Sequence, residues 1–367
     1  PLGPNCNTVP MLASRPLCRA GCLGRRAARR HCSSLAVTHL DTWLRDNAAS
    51  FAPPVMNKLL HRDQLSVMFV GGPNRREDFH LEEGSEFFFQ LRGDMELPTL
   101  QAGRRELVRI REGEVYLLPS RIPHSPQRPD AGSIGLVVER RRSERELDGL
   151  RFYTDFEACD AVLWEQYFHC SDLGKDLAPV LAAFRESEEA ATRRPSATSV
   201  LASPPLKQDV ATVVPPPFRL DEWLEERSAL LDAGATLPLF GESHPDKEFG
   251  IFVAGGPVEH NAAWRHETWL LQLRGEARVS LRGGEEATLS EGSCLVVPAK
   301  TEYTVRREAG SRGLVVTNDP NGNKVNARGV RLFGGGSEGR QPVVGGGDQA
   351  GRDILRAMHE DAARKGR

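Results

Sequence analysis

The chain has 367 residues, 39% of them hydrophobic and 27% charged, enough apolar content for two ordinary globular cores. A formal net charge of -2 gives no footing for a polyanionic partner, so nucleic acid is not an expected ligand. Nowhere do about 18 apolar residues run together, which excludes a membrane-spanning helix.

Residues 1–36 carry Arg15, Arg19, Arg25, Arg26, Arg29 and Arg30, and no acidic residue precedes Asp41. That bias suits either an organelle transit segment or a disordered leader. Of the seven cysteines, Cys6, Cys18, Cys22 and Cys32 fall in this stretch, while Cys159, Cys170 and Cys294 are scattered without a C-x-x-C pair. Scattered cysteines of odd number read as reduced thiols rather than a disulfide framework, and the cytoplasm is the expected compartment unless the leader directs otherwise.

From His39 onward the chain repeats itself. "HLDTWLRDNAASF" (39–51) is echoed by "RLDEWLEERSALL" (219–231), each read as an amphipathic helix with Asp at the N-cap. "VMFVGGP" (67–73) returns within "GIFVAGGP" (250–257), "FFFQLRGD" (87–94) as "WLLQLRGE" (269–276), "REGEVYLLP" (111–119) as "SEGSCLVVP" (290–298), and "GSIGLVVE" (132–139) as "GSRGLVVT" (310–317). Matched blocks in one order indicate a duplicated domain. Each copy is a series of β-branched or aromatic runs between Gly and Pro turns, so each reads as an all-β barrel or sandwich.

The first copy, with the helices expected to follow it, occupies residues 37–186. Residues 156–186 have helical spacing, interrupted near Gly174 and Pro179. Composition makes 187–216 a Pro-rich linker, 217–330 the second copy, and 331–367 a Gly-rich tail, read as disordered with a short helix from Asp353.

The chemistry gathers in the first copy. "DFHLEEGSEFFFQLRGD" (78–94) has the apolar look of a buried strand yet carries His80 and Glu86, and His124 follows in "LLPSRIPHSPQR". Such side chains are costly to bury without partners. Two imidazoles and one carboxylate form the ligand set that holds Fe(II) with open coordination positions. A hydrogen-bonded pair at a strand end is the competing reading for His80 and Glu86 taken alone.

The residues around this set resemble the cupin family. Its first motif appears as Gly72, Asp78, His80, Glu86 and Gly93, with Asp78 where most cupins have a first histidine. Its second appears as Gly113, Pro119, Arg121 and His124, with Arg121 in place of a glycine. These departures, together with "PHSPQR" followed by "GLVVERRR", are similar to the 3-hydroxyanthranilate 3,4-dioxygenase family, closely over residues 40–180. The second copy resembles more loosely the degenerate half of the two-cupin form.

That resemblance implies an all-β fold, a duplicated cupin (double-stranded β-helix, or jelly-roll, barrel) with a few peripheral helices. It implies Fe(II) held by His80, Glu86 and His124, with O2 as co-substrate. Arg76 and Arg128 match the residues that bind the substrate carboxylate, and Glu139 the acidic residue that contacts its hydroxyl or amino group. Guanidinium groups do bind planar carboxylates bidentately, and a buried carboxylate after "IGLVV" would serve as proton acceptor. The competing reading of Glu139 is a salt bridge on the solvated charge run "RRRSER". The implied reaction opens the ring of 3-hydroxyanthranilate to 2-amino-3-carboxymuconate semialdehyde, the precursor of quinolinate in NAD biosynthesis.

In the second copy the positions of His80, Glu86 and His124 fall on Ala262, Thr268 and Tyr303, so no metal is expected there. His260, His266 and Glu267 lie nearby at the wrong offsets. The duplication supplies a pseudo-dimer internally and suggests a monomer. Two other functions stay open on the residues: a cupin dioxygenase or isomerase for another small acid, and a non-catalytic cupin that binds such an acid.

Overall fold

The structure, a computed structural model, describes residues 35–53 and 56–318. The Arg-rich leader, the Gly-rich tail and the helix expected from Asp353 lie outside the described residues. The architecture is the expected duplicated β-barrel with few helices. In the first barrel, one sheet runs in the order Phe218–Arg219, Glu114–Leu118, Glu86–Arg92, Ile134–Arg140, Leu65–Gly71, Asn57–Arg62. Facing it are the sheet Val162–Phe168, Asp148–Tyr153, Asp78–Leu81 and the hairpin Met95–Gln101/Arg104–Ile110. The strand Leu65–Gly71 shows why these segments pair: Leu65, Val67 and Phe69 are fully buried and alternate with half-buried residues, the period of two that a sheet imposes.

The second barrel repeats the plan, with Thr38–His39, Ser293–Val297, Thr268–Arg274, Arg312–Asn318, Phe249–Gly255 and Thr236–Pro238 in one sheet. Val258–Ala262, Tyr303–Arg307, Ala277–Leu281 and Glu286–Leu289 form the other. The barrels exchange arms. Thr38–His39, from the start of the first copy, pairs with Cys294 and Ser293 of the second, and Phe218–Arg219, from the start of the second, pairs with Val115 and Glu114 of the first. One apolar cluster runs through both, joining Phe69, Phe87, Leu117 and Val138 to Trp223, Ile251, Trp269 and Val316.

Three expectations need correction. Residues 187–216 are not a free linker. Leu206 and Val214 are buried, Asp209 N–H donates to the Arg121 carbonyl, and Ala102 N–H donates to that of Thr212, so the segment straps the first barrel. Residues 156–186 are not helical throughout: Val162–Phe168 is a strand paired with Asp148–Tyr153, and the helix is confined to Leu173–Arg185, with Pro179 accommodated inside it. The two echoed helices, Leu40–Asp46 and Leu220–Glu226, begin after His39 and Arg219, so Asp41 and Asp221 sit in the first turn, where a carboxylate favours the helix dipole. Cys159, Cys170 and Cys294 are free thiols. No described helix is long and apolar enough to cross a membrane.

Candidate active site

The strand Asp78–Leu81 is buried at all four positions because it is flanked on both sides. Leu150 pairs with His80 on one side. On the other, His80 and His124 exchange both backbone hydrogen bonds, His80 N–H to the His124 carbonyl at 2.8 Å and the reverse at 2.9 Å. Residues directly opposite in an antiparallel pair project side by side. The two imidazoles therefore meet edge to face, their centroids 5.4 Å apart. Glu86 heads the next strand in sequence, which lies in the facing sheet, and completes the group: the ligand atoms of His80, Glu86 and His124 all lie within 4.8 Å of one another, and all three residues are buried.

Each member is oriented from outside. His124 Nδ1 lies 3.0 Å from the Ile122 carbonyl, and its Nε2 lies 2.7 Å from Glu86 Oε1. His80 Nε2 faces Asp148 Oδ2 at 2.8 Å, and Asp148 is in turn held by Arg142. Burial works against ionisation of Glu86, yet the His124 and His80 rings outweigh it and hold the carboxyl at about 2. Burial likewise works against a proton on His124, and Glu86 outweighs that too, so its pKa is raised. The position attracts positive charge.

These three side chains open onto a cavity of about 230 Å³ that Arg76, Arg128 and Glu139 also line. All the expected site residues thus converge, but the two arginines differ. Arg76 is already paired with Asp78, the residue standing where most cupins have a histidine. Arg128 is fully buried, its Nη2 reaches only the Met95 sulfur at 3.5 Å, and its Nε has no hydrogen-bond partner among the described residues. Burial pushes its pKa down to about 10, with Glu86 opposing, so it stays a cation at neutral pH. Gly135 makes room for it, since a Cβ there would lie 2.7 Å from Arg128 Nη2 and 2.6 Å from Gln90 Oε1.

Glu139 does form a salt bridge, with Arg142 Nη1 at 2.5 Å, but not on a solvated run: Arg140 and Arg142 turn inward and only Arg141 of that triplet is exposed. Sequence reasoning missed this inner ring of Asp148, Arg142 and Glu82. Burial drives the Glu82 pKa well up, with Arg142 only partly offsetting it. The run "RRRSERELDG" read as surface because charge alone does not reveal which side chains turn inward. Also missed was the place of the helix Leu173–Arg185 at the site, where Leu173, Leu177 and Leu181 close the apolar side of the cavity.

In the second barrel, the strand register places Thr268 opposite Val297, as Glu86 lies opposite Leu118, and Ala262 opposite Tyr303. Its interior is filled by Leu270, Leu295, Val297, Tyr303 and Val305 with Trp264 against them. Arg307 repeats Arg128 as a buried cation, but there Nη1 donates to Gln272 Oε1 at 2.8 Å. Among the described residues, both groups able to hold a metal lie in the first barrel.

A family model described as 3-hydroxyanthranilic acid dioxygenase matches residues 33–185. The 3-hydroxyanthranilate 3,4-dioxygenase of Rattus norvegicus is 46% identical over 76% of this chain and 95% of its own length. That of Homo sapiens is 45% identical over 76% and 94%, and that of Nematostella vectensis 42% over 77% and 99%. Among solved structures, an oxalate decarboxylase aligns with a TM-score of 0.39 at 16% identity, covering 72% of this chain and 71% of that one. A cupin 2 conserved barrel domain protein from Leptotrichia buccalis gives 0.40 at 9%, covering 78% and 98%. Scores this low carry no argument about the reaction.

Proposed function

The chain belongs to the 3-hydroxyanthranilate 3,4-dioxygenase family, and from that premise we propose how its first barrel performs the reaction. The activity is the ring opening of 3-hydroxyanthranilate by both atoms of O2 to 2-amino-3-carboxymuconate semialdehyde, the precursor of quinolinate on the route to NAD. The observation that carries the site assignment is the cluster His80, Glu86 and His124 at a cavity whose wall holds a buried guanidinium with no hydrogen-bond partner at Nε among the described residues.

The donor set fits a divalent first-row metal. His124 Nε2 and Glu86 Oε1 converge at 2.7 Å, with the His80 ring beside them. An imidazole nitrogen and a carboxylate oxygen side by side are donors that a divalent first-row metal takes up together, in place of the proton they share without it. His80 would be the third ligand, its ring oriented by Asp148 as metal-binding imidazoles are commonly oriented by carboxylates. Bound there, Fe(II) would supply open coordination positions and the one-electron chemistry by which triplet O2 reacts with a closed-shell ring.

The remaining steps belong to the protein. Arg128, with its unpaired Nε, binds the substrate carboxylate, and Arg76 adds a second guanidinium if its Asp78 contact is shared. Met68, Phe88, Val137 and Leu177 bracket the ring and keep water from it. Glu139, on the same wall, takes a proton from the ring hydroxyl or amino group. Arg142 holds it in place there. We further propose that the chain works as a monomer, the second barrel covering the first as a partner subunit would.

The test is oxygen uptake by anaerobically Fe(II)-loaded protein given 3-hydroxyanthranilate, beside an aromatic acid lacking the 3-hydroxyl. Equal consumption of O2 and substrate with a new semialdehyde absorption is expected only with the first. His80→Ala should lose both iron and uptake. Stoichiometric iron in that variant would sink the ligand assignment.

A further inference from the structure

The residue before each ligand position donates its backbone N–H across the barrel interface. Ser85, before Glu86, donates to Glu248 Oε2 at 2.9 Å; Glu267, before Thr268, donates to Gln64 Oε1 at 2.9 Å. Aligning the two "GGP" blocks puts Gln64 and Glu248 at the same place in their copies. It is one contact made twice, reciprocally, and it differs in one respect. The side chain that reaches toward the barrel with His80, Glu86 and His124 is a carboxylate, and the one that reaches toward the other barrel is an amide.

The charge has a matching partner on the active side alone. Glu248 also accepts from Arg140 Nε, a buried guanidinium whose other nitrogens go to Glu146 at 2.6 Å each. Arg140 directly follows Glu139, and its counterpart in the second copy is Asn318, a neutral residue. Beside this pair, Ser85 Oγ donates to Asp246 Oδ1 at 2.5 Å and accepts from Ser120 N–H at 3.2 Å. A buried ion pair is a weak source of stability compared with a neutral contact of the same shape. The neutral version, Gln64, shows that the contact with the backbone N–H itself needs no charge. What the charged version adds is a fixed position for the two chain segments it touches, and these carry Glu86 and Glu139.

We propose that Glu248, supplied by the barrel that lacks the ligand set, is a positioning residue for Glu86 and Glu139, acting through Ser85 N–H and Arg140. The second barrel then serves the reaction directly. The inference rests on the ligand assignment made above, and the experiment separates the two.

Glu248→Gln copies the amide of the other half. Co(II) affinity, read from absorbance titration against a competing chelator, should fall about ten- to hundredfold, the usual cost of losing a group that orients a ligand. The iron-loaded variant should lose kcat with little change in KM, because the Arg128 side of the cavity is untouched. Glu267→Gln is the control: it lies in the same interface and accepts from Leu65 N–H and His61, so it should lower thermal stability and leave Co(II) affinity unchanged. Unaltered Co(II) affinity in Glu248→Gln, or an equal fall in both variants, overturns the proposal. Should Glu248→Gln fail to fold, Asp246→Asn weakens the neighbouring Ser85 Oγ arm and should still lower Co(II) affinity; no change there overturns it as well. His80→Ala, titrated alongside, reports on the premise: Co(II) bound as tightly as in the unaltered protein would refute the ligand assignment, whereas loss there with none in Glu248→Gln refutes the positioning role alone.

Discussion

At the scale of single residues, the site turns on which charges are already spent. Arg76 and Arg128 look alike in the sequence, yet Arg76 answers Asp78 while the buried Nε of Arg128 has no partner among the described residues. A buried cation of that kind is costly unless an anion arrives, which is why the proposed function gives most of the carboxylate recognition to Arg128. Arg128→Ala should therefore raise KM about ten- to hundredfold, the equivalent of about 1.5–3 kcal/mol for hydrogen bonds to a charged group. Iron content should stay stoichiometric, since Arg128 is no ligand; steady-state kinetics with metal analysis checks both. That His80, Glu86 and His124 come together was legible from their local motifs, and the place of the two arginines beside them from the family resemblance. Asp148 and Arg142 were not. Their importance arises from contacts across the fold, His80 with Asp148 and Arg142 with Glu82, that no short window of sequence displays.

At the scale of elements, short apolar runs were the hard cases. "VLWEQYF" (162–168) became a strand because Asp148–Tyr153 offered it an edge, and seven residues hold too few periods to separate 2 from 3.6. The segment 187–216 has a linker's composition, yet its polar backbone found partners on the first barrel, so composition misjudged its order. The loop between Leu239 and Phe249, which carries Asp246 and Glu248, was likewise silent in the sequence. Within it, His244 is buried and its Nδ1 accepts from Asp246 N–H at 3.1 Å, so it must be neutral there. Burial, with Lys247 adding to it, pushes the His244 pKa down to about 4. A histidine depressed in the folded state takes up a proton more readily when unfolded, so stability present at neutral pH is lost as pH falls from about 6.5 toward 4. At pH 5 the loss should be about 1–2 kcal/mol, and His244→Gln should remove that part of the acid dependence. Urea unfolding of both proteins at pH 7.5 and pH 5 checks it; parallel losses in the two would show that His244 is not the group responsible.

At the scale of the whole molecule, the sequence repeats indicated two domains with two cores, and the structure joins them. The main apolar cluster draws on both copies, from Phe69 and Phe87 to Trp223 and Trp269, and each copy donates its first strand to the other's sheet. Repeats in a sequence identify copies, but the exchange of arms is a property of how they dock, which periodicity does not encode. A shared core removes the free-energy minimum in which one barrel is folded and the other is not, since opening either exposes apolar surface on both. The protein should therefore unfold in a single cooperative transition, with calorimetric and van't Hoff enthalpies agreeing, rather than in two steps. A lesion confined to the second barrel makes the test sharper. Val279 is fully buried in that barrel's own cluster, away from the shared core, and Val279→Ala should cost about 1–3 kcal/mol as a large-to-small core change. If the barrels are one cooperative unit, the temperature at which bound metal is released from the first barrel should fall by the same amount as the unfolding midpoint. Release that stays at its original temperature while the second barrel melts earlier would mean that the two halves fold as separate domains despite their exchanged strands.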